Sequence, residues 1–380
     1  MRYVLGVDGG GSKIVCLAAD ETGRLLGYGR GGGVNTNYVL RREAKDSARS
    51  AINTALQEAG LRAGQIESLC ISAPLDPETL GKVIEQCGIK HVARAAEGET
   101  PRWAARFWID ERVGVTVDAG TGSLARGWAR DGREVGAGGW GAALGDEGSG
   151  YWIGFKAMRA MLQAHDGRLE ETRLTKAVLE HFGLSQPKDL PFRVHVAVEV
   201  TEALSGERTR FVIDSGTVIE RLGQRPSPNG AQESEASDGG LFYRKVTPTR
   251  PLRRHEIASL CSAVVKVARQ GDWKALEILE EAGHESGRLG AAVIKRLGME
   301  QEEFAVVPFG GVFKAGELVL RTFRETIHAT APWATIVEPE FEPEVGAVLL
   351  ALNDIGVTID DHIIETIEQS SVNFPACRRY

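Results

Sequence analysis

The chain has 380 residues, 26% of them charged, and a net charge of −7. That length exceeds what one hydrophobic core serves and predicts two domains, while the acidic balance and the lack of a basic stripe exclude nucleic acid as the main partner. No window approaches the roughly 18 consecutive apolar residues of a membrane span, and Met1-Arg2-Tyr3 leads straight into a strand pattern, so a cytoplasmic chain with no membrane contact is expected.

The first element is an apolar strand, Val4 to Val7, that ends in Asp8-Gly9-Gly10-Gly11-Ser12-Lys13 and returns through Ile14 to Ala19. That spacing predicts a β-hairpin whose glycine-rich tip can lay backbone N–H groups against phosphate oxygens. Asp8, at the strand end, is placed to hold Mg²⁺ or its water shell beside those phosphates. A strand follows the loop rather than a helix, which excludes both a Walker A loop and a dinucleotide fingerprint. By itself the run is equally a plain hairpin turn.

Further along, residues 42–60 repeat Ala and Leu at helical spacing and stop at Gly60, a natural C-cap. Ile66–Ser72 reads as a short buried strand, Pro77–Cys87 as a helix and His91–Ala96 as another strand, with Glu97, Gly98 and Glu99 leading into a Trp/Ala/Phe-rich helix. A second turn of the opening kind then appears in Val113 to Ser123: strand, Asp118, Ala119, Gly120-Thr121-Gly122, strand. The likeness predicts an internal repeat, with two phosphate-facing turns able to clamp one nucleotide.

Next comes a glycine-dense run from Gly136 to Gly150 that allows a ligand to approach the backbone closely. Trp140 offers it an apolar face, and Asp146 and Glu147 stand where a carboxylate either caps the following helix or faces the ligand. In the 191–250 segment, Phe192–Val200 alternates as a strand, Arg210–Ile219 reads as a strand leading into a helix or another strand, and Gln224–Gly240 is a Ser/Pro/Gly/Glu-rich loop. From Pro251 the pattern is helical to Leu297; Phe304–Phe309 is a buried strand running into Gly310-Gly311, where either a base or ribose approaches the backbone or the chain turns into a helix. The five cysteines, Cys16, Cys70, Cys87, Cys261 and Cys377, are scattered without a CxxC pair, so neither a disulfide framework nor a zinc site is expected.

Taken together, the chain resembles the BadF/BadG/BcrA/BcrD-type ATPase family, in its N-acetylglucosamine kinase-like branch, within the actin/Hsp70/sugar kinase superfamily. The resemblance is carried by Asp8–Lys13, Gly120-Thr121-Gly122-Ser123, Gly138-Gly139-Trp140-Gly141 with Gly145-Asp146-Glu147-Gly148-Ser149, Gly310-Gly311-Val312-Phe313, and Glu340–Pro343 with Gly346-Ala347, in the same order over nearly the whole chain. It implies an α/β fold of two ribonuclease-H-like domains, 1–112 and 113–345, the second with an insertion at about 191–250. A C-terminal helix and tail, 346–380, would pack back on the first domain.

The resemblance also implies ATP and Mg²⁺ as cofactors and a small-molecule sugar, an amino sugar such as N-acetylglucosamine, glucosamine or N-acetylmuramic acid, in a cleft of a homodimeric enzyme. Asp8, Gly9, Gly10, Gly11, Ser12 and Lys13 with Gly120, Thr121 and Gly122 become the ATP phosphate turns, Gly310 and Gly311 the adenosine segment, and Asp8 and Asp118 the metal ligands. Asn37 (with Asn35 as a rival), Ser72, Gly139, Trp140 and Asp146 become sugar contacts.

Three features depart from the family pattern. Its catalytic aspartate is replaced by Glu97, or by Glu99; Asp118 stands where this branch has an apolar residue; and the 191–250 segment is extra. Phosphoryl transfer needs in-line placement, charge stabilisation and a base, here Glu97, with Asp146 orienting the sugar. Two other readings stay open: an ATPase that activates another enzyme, which would need cysteines paired for an iron–sulfur cluster, and a sugar or nucleotide sensor without turnover.

Overall fold

A computed structural model describes residues 1–96, 98–105, 113–194, 199–201, 210–212, 218–224, 241–246, 252–374 and 377. The chain opens with β1 (Tyr3–Gly9), β2 (Lys13–Asp20), β3 (Leu25–Gly32), α1 (Arg41–Glu58), β4 (Ile66–Ser72), α2 (Pro77–Cys87), β5 (Val92–Arg94) and α3 (Glu99–Ala104). These strands form a five-stranded sheet in the order β3-β2-β1-β4-β5. The first three run antiparallel as a meander, and β4 and β5 then add in parallel through helical crossovers.

The second sheet repeats the plan. β6 (Gly114–Ala119), β7 (Ser123–Trp128) and β8 (Glu134–Gly138) form its antiparallel meander, followed by α4 (Gly150–His165) and α5 (Arg173–Phe182). After α6 (Pro191–Val194) come two short antiparallel pairs, β9 (Glu199–Thr201) with β10 (Arg210–Val212) and β11 (Val218–Gln224) with β12 (Leu241–Val246). The helices α7 (Arg254–Ser259), α8 (Cys261–Ala268) and α9 (Trp273–Leu297) lead to β13 (Ala305–Phe309), α10 (Glu317–His328) and β14 (Thr335–Ile336). The order is β14-β13-β6-β7-β8, with β13 parallel to both β6 and β14. Read outward from β1 and from β6, the two sheets have the same strand order and the same strand senses. The internal repeat is therefore a duplicated ribonuclease-H-like topology, and the chain adopts the two-domain α/β actin-like fold.

The last helices, α11 (Pro343–Asp354) and α12 (Asp361–Ser370), return to the first sheet. Val345, Val348, Leu349 and Leu352 share a buried cluster with Val4, Leu17 and Cys70, and Ile363, Ile364 and Ile367 close it. α11 starts at Pro343, so residue 345, where the sequence reading ends the second domain, lies inside a helix. A separate core joins Leu5, Val7, Ile14 and Cys16 to the alanine face of α1, Ala44, Ala48, Ala51 and Ala55. Small residues on both partners matter here. A side chain at Gly27, Gly29 or Gly31 of β3 would run into the carbonyl oxygens of Ala55, Ala51 and Ser47.

Helix ends follow their sequence signals. Asp76 accepts from Thr79 N at 3.1 Å with Pro77 next in line, and Gly88 ends the helix at φ +72°. The 191–250 segment differs from its sequence reading. Residues 191–194 form a helical turn instead of the start of a strand, because Pro191 presets a helical φ and has no N–H to give a ladder. Residues 195–198 and 225–240 lie outside the described residues. The helical stretch after 251 is three helices, broken at Leu260 and again before Asp272, which caps α9 by accepting from Ala275 N.

Candidate active site

The two turns predicted to hold phosphate occupy equivalent ends of β1 and β6, and they meet. Ser12 Oγ lies 2.5 Å from Thr121 Oγ1, a hydrogen bond spanning 109 residues of sequence. Within the first turn Gly10 N donates to Lys13 O and Gly10 O accepts from Val34 N; within the second, Gly120 N donates to Gly122 O and Gly120 O accepts from Gly150 N. Each turn is thus tied to its own domain while the two hydroxyls face each other.

Asp8 and Asp118 sit in matching positions next to these turns, each the penultimate residue of its strand. Asp8 accepts from Thr100 Oγ1 at 2.7 Å, and Ser72 is its register partner on β4. Burial, then the neighbouring carboxylates Glu344 and Asp118, push the Asp8 carboxyl up to about 8 against the pull of Thr100 and Lys13. Excess negative charge at this point is what a divalent cation would relieve. Among the described residues no set of three or more His, Cys, Asp or Glu forms a metal cage.

Gly310, at the end of β13, has φ +97°, and a Cβ there would lie 2.7 Å from Asp118 Oδ1. Only glycine brings this turn so close to the second phosphate turn. Gly311 opens a short 3-10 helix to Ala315. Just beyond it, between the first turns of α9 and α10, an open hollow of about 440 Å³ is lined by Leu276, Ala315, Leu318 and the Glu280 and Arg321 ion pair.

The predicted sugar contacts divide. Asp146 is almost fully buried and is the only described non-glycine residue with positive φ, at +63°. It is not the cap of α4, because Ser149 holds that place and accepts from Trp152 N. Instead Oδ1 accepts from Ser123 N, and Oδ2 is ion-paired with Arg254 Nη2. Asp146 is thus held by a backbone N–H and a guanidinium rather than serving as a helix cap.

Asn35 accepts from Asn37 N with its side chain, an Asx turn, which leaves the exposed Asn37 side chain as the uncommitted amide of that loop. Gly139 (φ +75°) donates its N–H to Ser123 O, and Trp140 stands 74% exposed beside it. Tyr38 carries the guanidinium of Arg254 over its ring, 4.2 Å from the centroid.

Glu97 lies outside the described residues. Its rival Glu99 turns back to accept from Ala96 N at 2.8 Å as α3 begins, so that carboxylate is engaged in fastening the helix start. Lys13 reaches across to Glu344 Oε1, 3.8 Å away, and Lys314 pairs with Glu342 at 2.7 Å, so the N-terminal turn of α11 supplies the acidic floor of the first turn. Sequence reading missed Arg254, Tyr38, Thr100 and Glu344; the acid of Glu344 beside the Gly346-Ala347 motif was the one visible hint.

Known proteins are similar to this chain in sequence and fold. The sequence signature of the BadF/BadG/BcrA/BcrD ATPase family matches residues 5–351. The chain is 26% identical over 357 residues to the N-acetylmuramic acid/N-acetylglucosamine kinase of Clostridium acetobutylicum, covering 93% of this chain and 99% of that protein. It is 25% identical over 375 residues to the N-acetyl-D-glucosamine kinase of Dictyostelium discoideum, covering 92% and 97%. In fold it is similar to a crystal structure from Chromobacterium violaceum assigned as an N-acetylglucosamine kinase, with a TM-score of 0.61, 24% identity and coverage of 92% and 99%. A ROK family glucokinase from Streptomyces griseus, solved with glucose and AMPPNP, gives a TM-score of 0.55 at 17% identity, covering 92% and 99%. This chain belongs to the BadF/BadG/BcrA/BcrD ATPase family.

Proposed function

We propose that the protein transfers the γ-phosphoryl group of ATP to a hydroxyl of an amino sugar, N-acetylglucosamine or a close relative such as glucosamine or N-acetylmuramic acid. The observation that carries this is the meeting of Ser12 and Thr121, which brings two phosphate-type turns from a duplicated fold to one point. The names of the curated relatives give the substrate class.

On this reading the turns Gly9–Lys13 and Gly120–Gly122 hold the phosphates through N–H groups other than those of Gly10 and Gly120, which are bonded within their turns, and the hollow past Gly311 receives the base between Leu276, Ala315 and Leu318 and the charged Glu280, Glu317 and Arg321. Asp8 and Asp118 would hold Mg²⁺, which when bound neutralises charge on the phosphate oxygens. Asp146, with Asn37, Gly139, Trp140 and Ser72, orients the sugar, and Glu97 takes the proton from its hydroxyl. A two-lobed site of this kind excludes water when closed and so limits wasteful hydrolysis. A first domain at 1–112, a second from 113 to the start of α11, a C-terminal segment from Pro343 that returns to the first domain, a homodimeric assembly and a cytoplasmic setting belong to the same proposal. No observation favours an iron–sulfur activator: Cys16, Cys70 and Cys87 are buried on β2, β4 and α2, and Cys377 is buried near the end of the chain.

The test is coupled ADP release with a panel of amino sugars. ADP formed in proportion to one phosphorylated sugar supports the proposal. Sugar-independent hydrolysis, or binding without turnover, contradicts it.

A further inference from the structure

Arg254 has no role in the sequence reading, yet it stands where the proposed sugar and phosphate sites meet. It opens α7, immediately after Arg253, which crosses to the first domain and clasps both oxygens of Glu43 at 3.0 and 3.1 Å. Three observations fix the Arg254 guanidinium. Its plane lies over the Tyr38 ring, Nη2 is ion-paired with Asp146 Oδ2, and the side chain is only 12% exposed. It also lies against the second phosphate turn. A Cβ placed on Gly122 would be 2.7 Å from Arg254 Nη2 and 2.9 Å from Asp146 Oδ1.

One donor is left over. Nε is buried and, among the described residues, has no hydrogen-bond partner. A buried N–H left without an acceptor costs on the order of 1–3 kcal/mol, more on a charged group, so a held cation with an idle donor implies an acceptor that arrives later. The acceptor that suits a stacked guanidinium is a planar or tetrahedral oxyanion approaching its edge. Two such groups could come to this junction: the phosphoryl group in transit beside Gly122, or an acidic substituent on the sugar. The same guanidinium touches the phosphate turn through Nη2, which favours the first.

We infer that Arg254 is a catalytic residue, whose guanidinium donates to an oxygen of the phosphoryl group as it passes from ATP to the sugar. Asp146 and Tyr38 hold the cation in place, so no reorganisation is needed when charge develops. Asp146 would then have two duties, orienting the acceptor and fixing the cation that meets the phosphate. The inference rests on the kinase reading above.

Arg254→Lys keeps a cation for Asp146 and removes the edge donor. With N-acetylglucosamine, a neutral acceptor, kcat should fall on the order of 100-fold, the scale of losing one preorganised donor, while KM for sugar and for ATP stays within about threefold. Arg254→Ala should be nearly inactive and should regain turnover when methylguanidine is added, a rescue that damage to the fold would not allow. ADP with vanadate, a mimic of the group in transit, should bind the Lys variant more weakly than wild type, with ADP alone unchanged. The inference is overturned if the Lys variant keeps kcat within threefold, or if its loss is confined to N-acetylmuramic acid and spares its uncharged amide, which would place the donor on a sugar carboxylate. It is also overturned by absence of methylguanidine rescue in a variant that melts like wild type. Failure of the wild-type enzyme to phosphorylate any sugar would instead remove the kinase reading itself.

Discussion

Lys13 of the first turn lies 3.8 Å from Glu344, a carboxylate that is 1% exposed and whose two oxygens have no hydrogen-bond partner among the described residues. Both groups come from opposite ends of the chain, and α11 is what brings them together. Burial holds the Glu344 carboxyl above its ordinary range against the pull of Lys13. Glu344 is in turn the largest charge acting on Asp8.

A pH dependence follows. On the proposed reading, in which Asp8 holds Mg²⁺ as the anion, its carboxyl at about 8 has to give up a proton when Mg·ATP binds at lower pH, so affinity should weaken as pH falls from 8 to 6. Glu344→Gln removes the charge that acts most strongly on Asp8 and leaves its burial, so the midpoint of that dependence should move down in part. Isothermal titration of Mg·ATP at several pH values reads both, together with the protons released.

The same carboxyl bears on stability. Its folded pKa, about 8, lies above the ordinary 3.8, so between those values the folded state holds a proton that the unfolded state has lost. Stability contributed by this group is therefore full below about pH 4 and declines as pH rises through 8. Asp8→Asn escapes that decline. Its melting temperature should exceed that of the wild type by a few degrees at pH 8 and by less at pH 5, while Mg·ATP binding is lost. Melting curves at the two pH values, without nucleotide, check the sign.

Asp146→Asn separates strain from chemistry. Asn tolerates positive φ as well as Asp does, so the fold should survive with a melting temperature within a few degrees of the wild type. On the proposed reading the missing charge frees Arg254 and removes the carboxylate that would orient the sugar, and kcat/KM should fall by about 100-fold or more. Steady-state kinetics beside a melting curve decide it.

Gly310→Ala tests the close approach to the second turn. A methyl group there meets the Ala119 carbonyl and Asp118, and φ +97° adds backbone strain, so unfolding free energy should drop by about 2 kcal/mol or more. Nucleotide affinity should fall with it. Denaturant titration measures the first and calorimetry the second.

How much of this could be read beforehand differs by residue. Asp8, the glycines after it and the matching run at Asp118 were legible because a strand, an acid and a glycine turn are adjacent in sequence, and the duplicated sheets follow from their repetition. The Arg254 and Asp146 pair was not, since 108 residues separate its members and neither residue type announces the other. Thr100 reaching Asp8 across 92 residues is hidden for the same reason. Alternation misled at Phe192–Val194, where Pro191 favours a helical turn over the strand that the pattern implies. Spacing alone did not separate Asn35 from Asn37, and the hydrogen bond from Asn37 N to the Asn35 side chain is not visible in the spacing.

The claim beneath all of this is that both turns serve one nucleotide. Calorimetric titration of Mg·ATP into the wild type, Gly11→Val and Gly122→Val tests it most directly. One site per chain in the wild type, weakened at least about tenfold by either substitution, is the predicted result. Binding that survives alteration of one turn, or two independent sites, would contradict it.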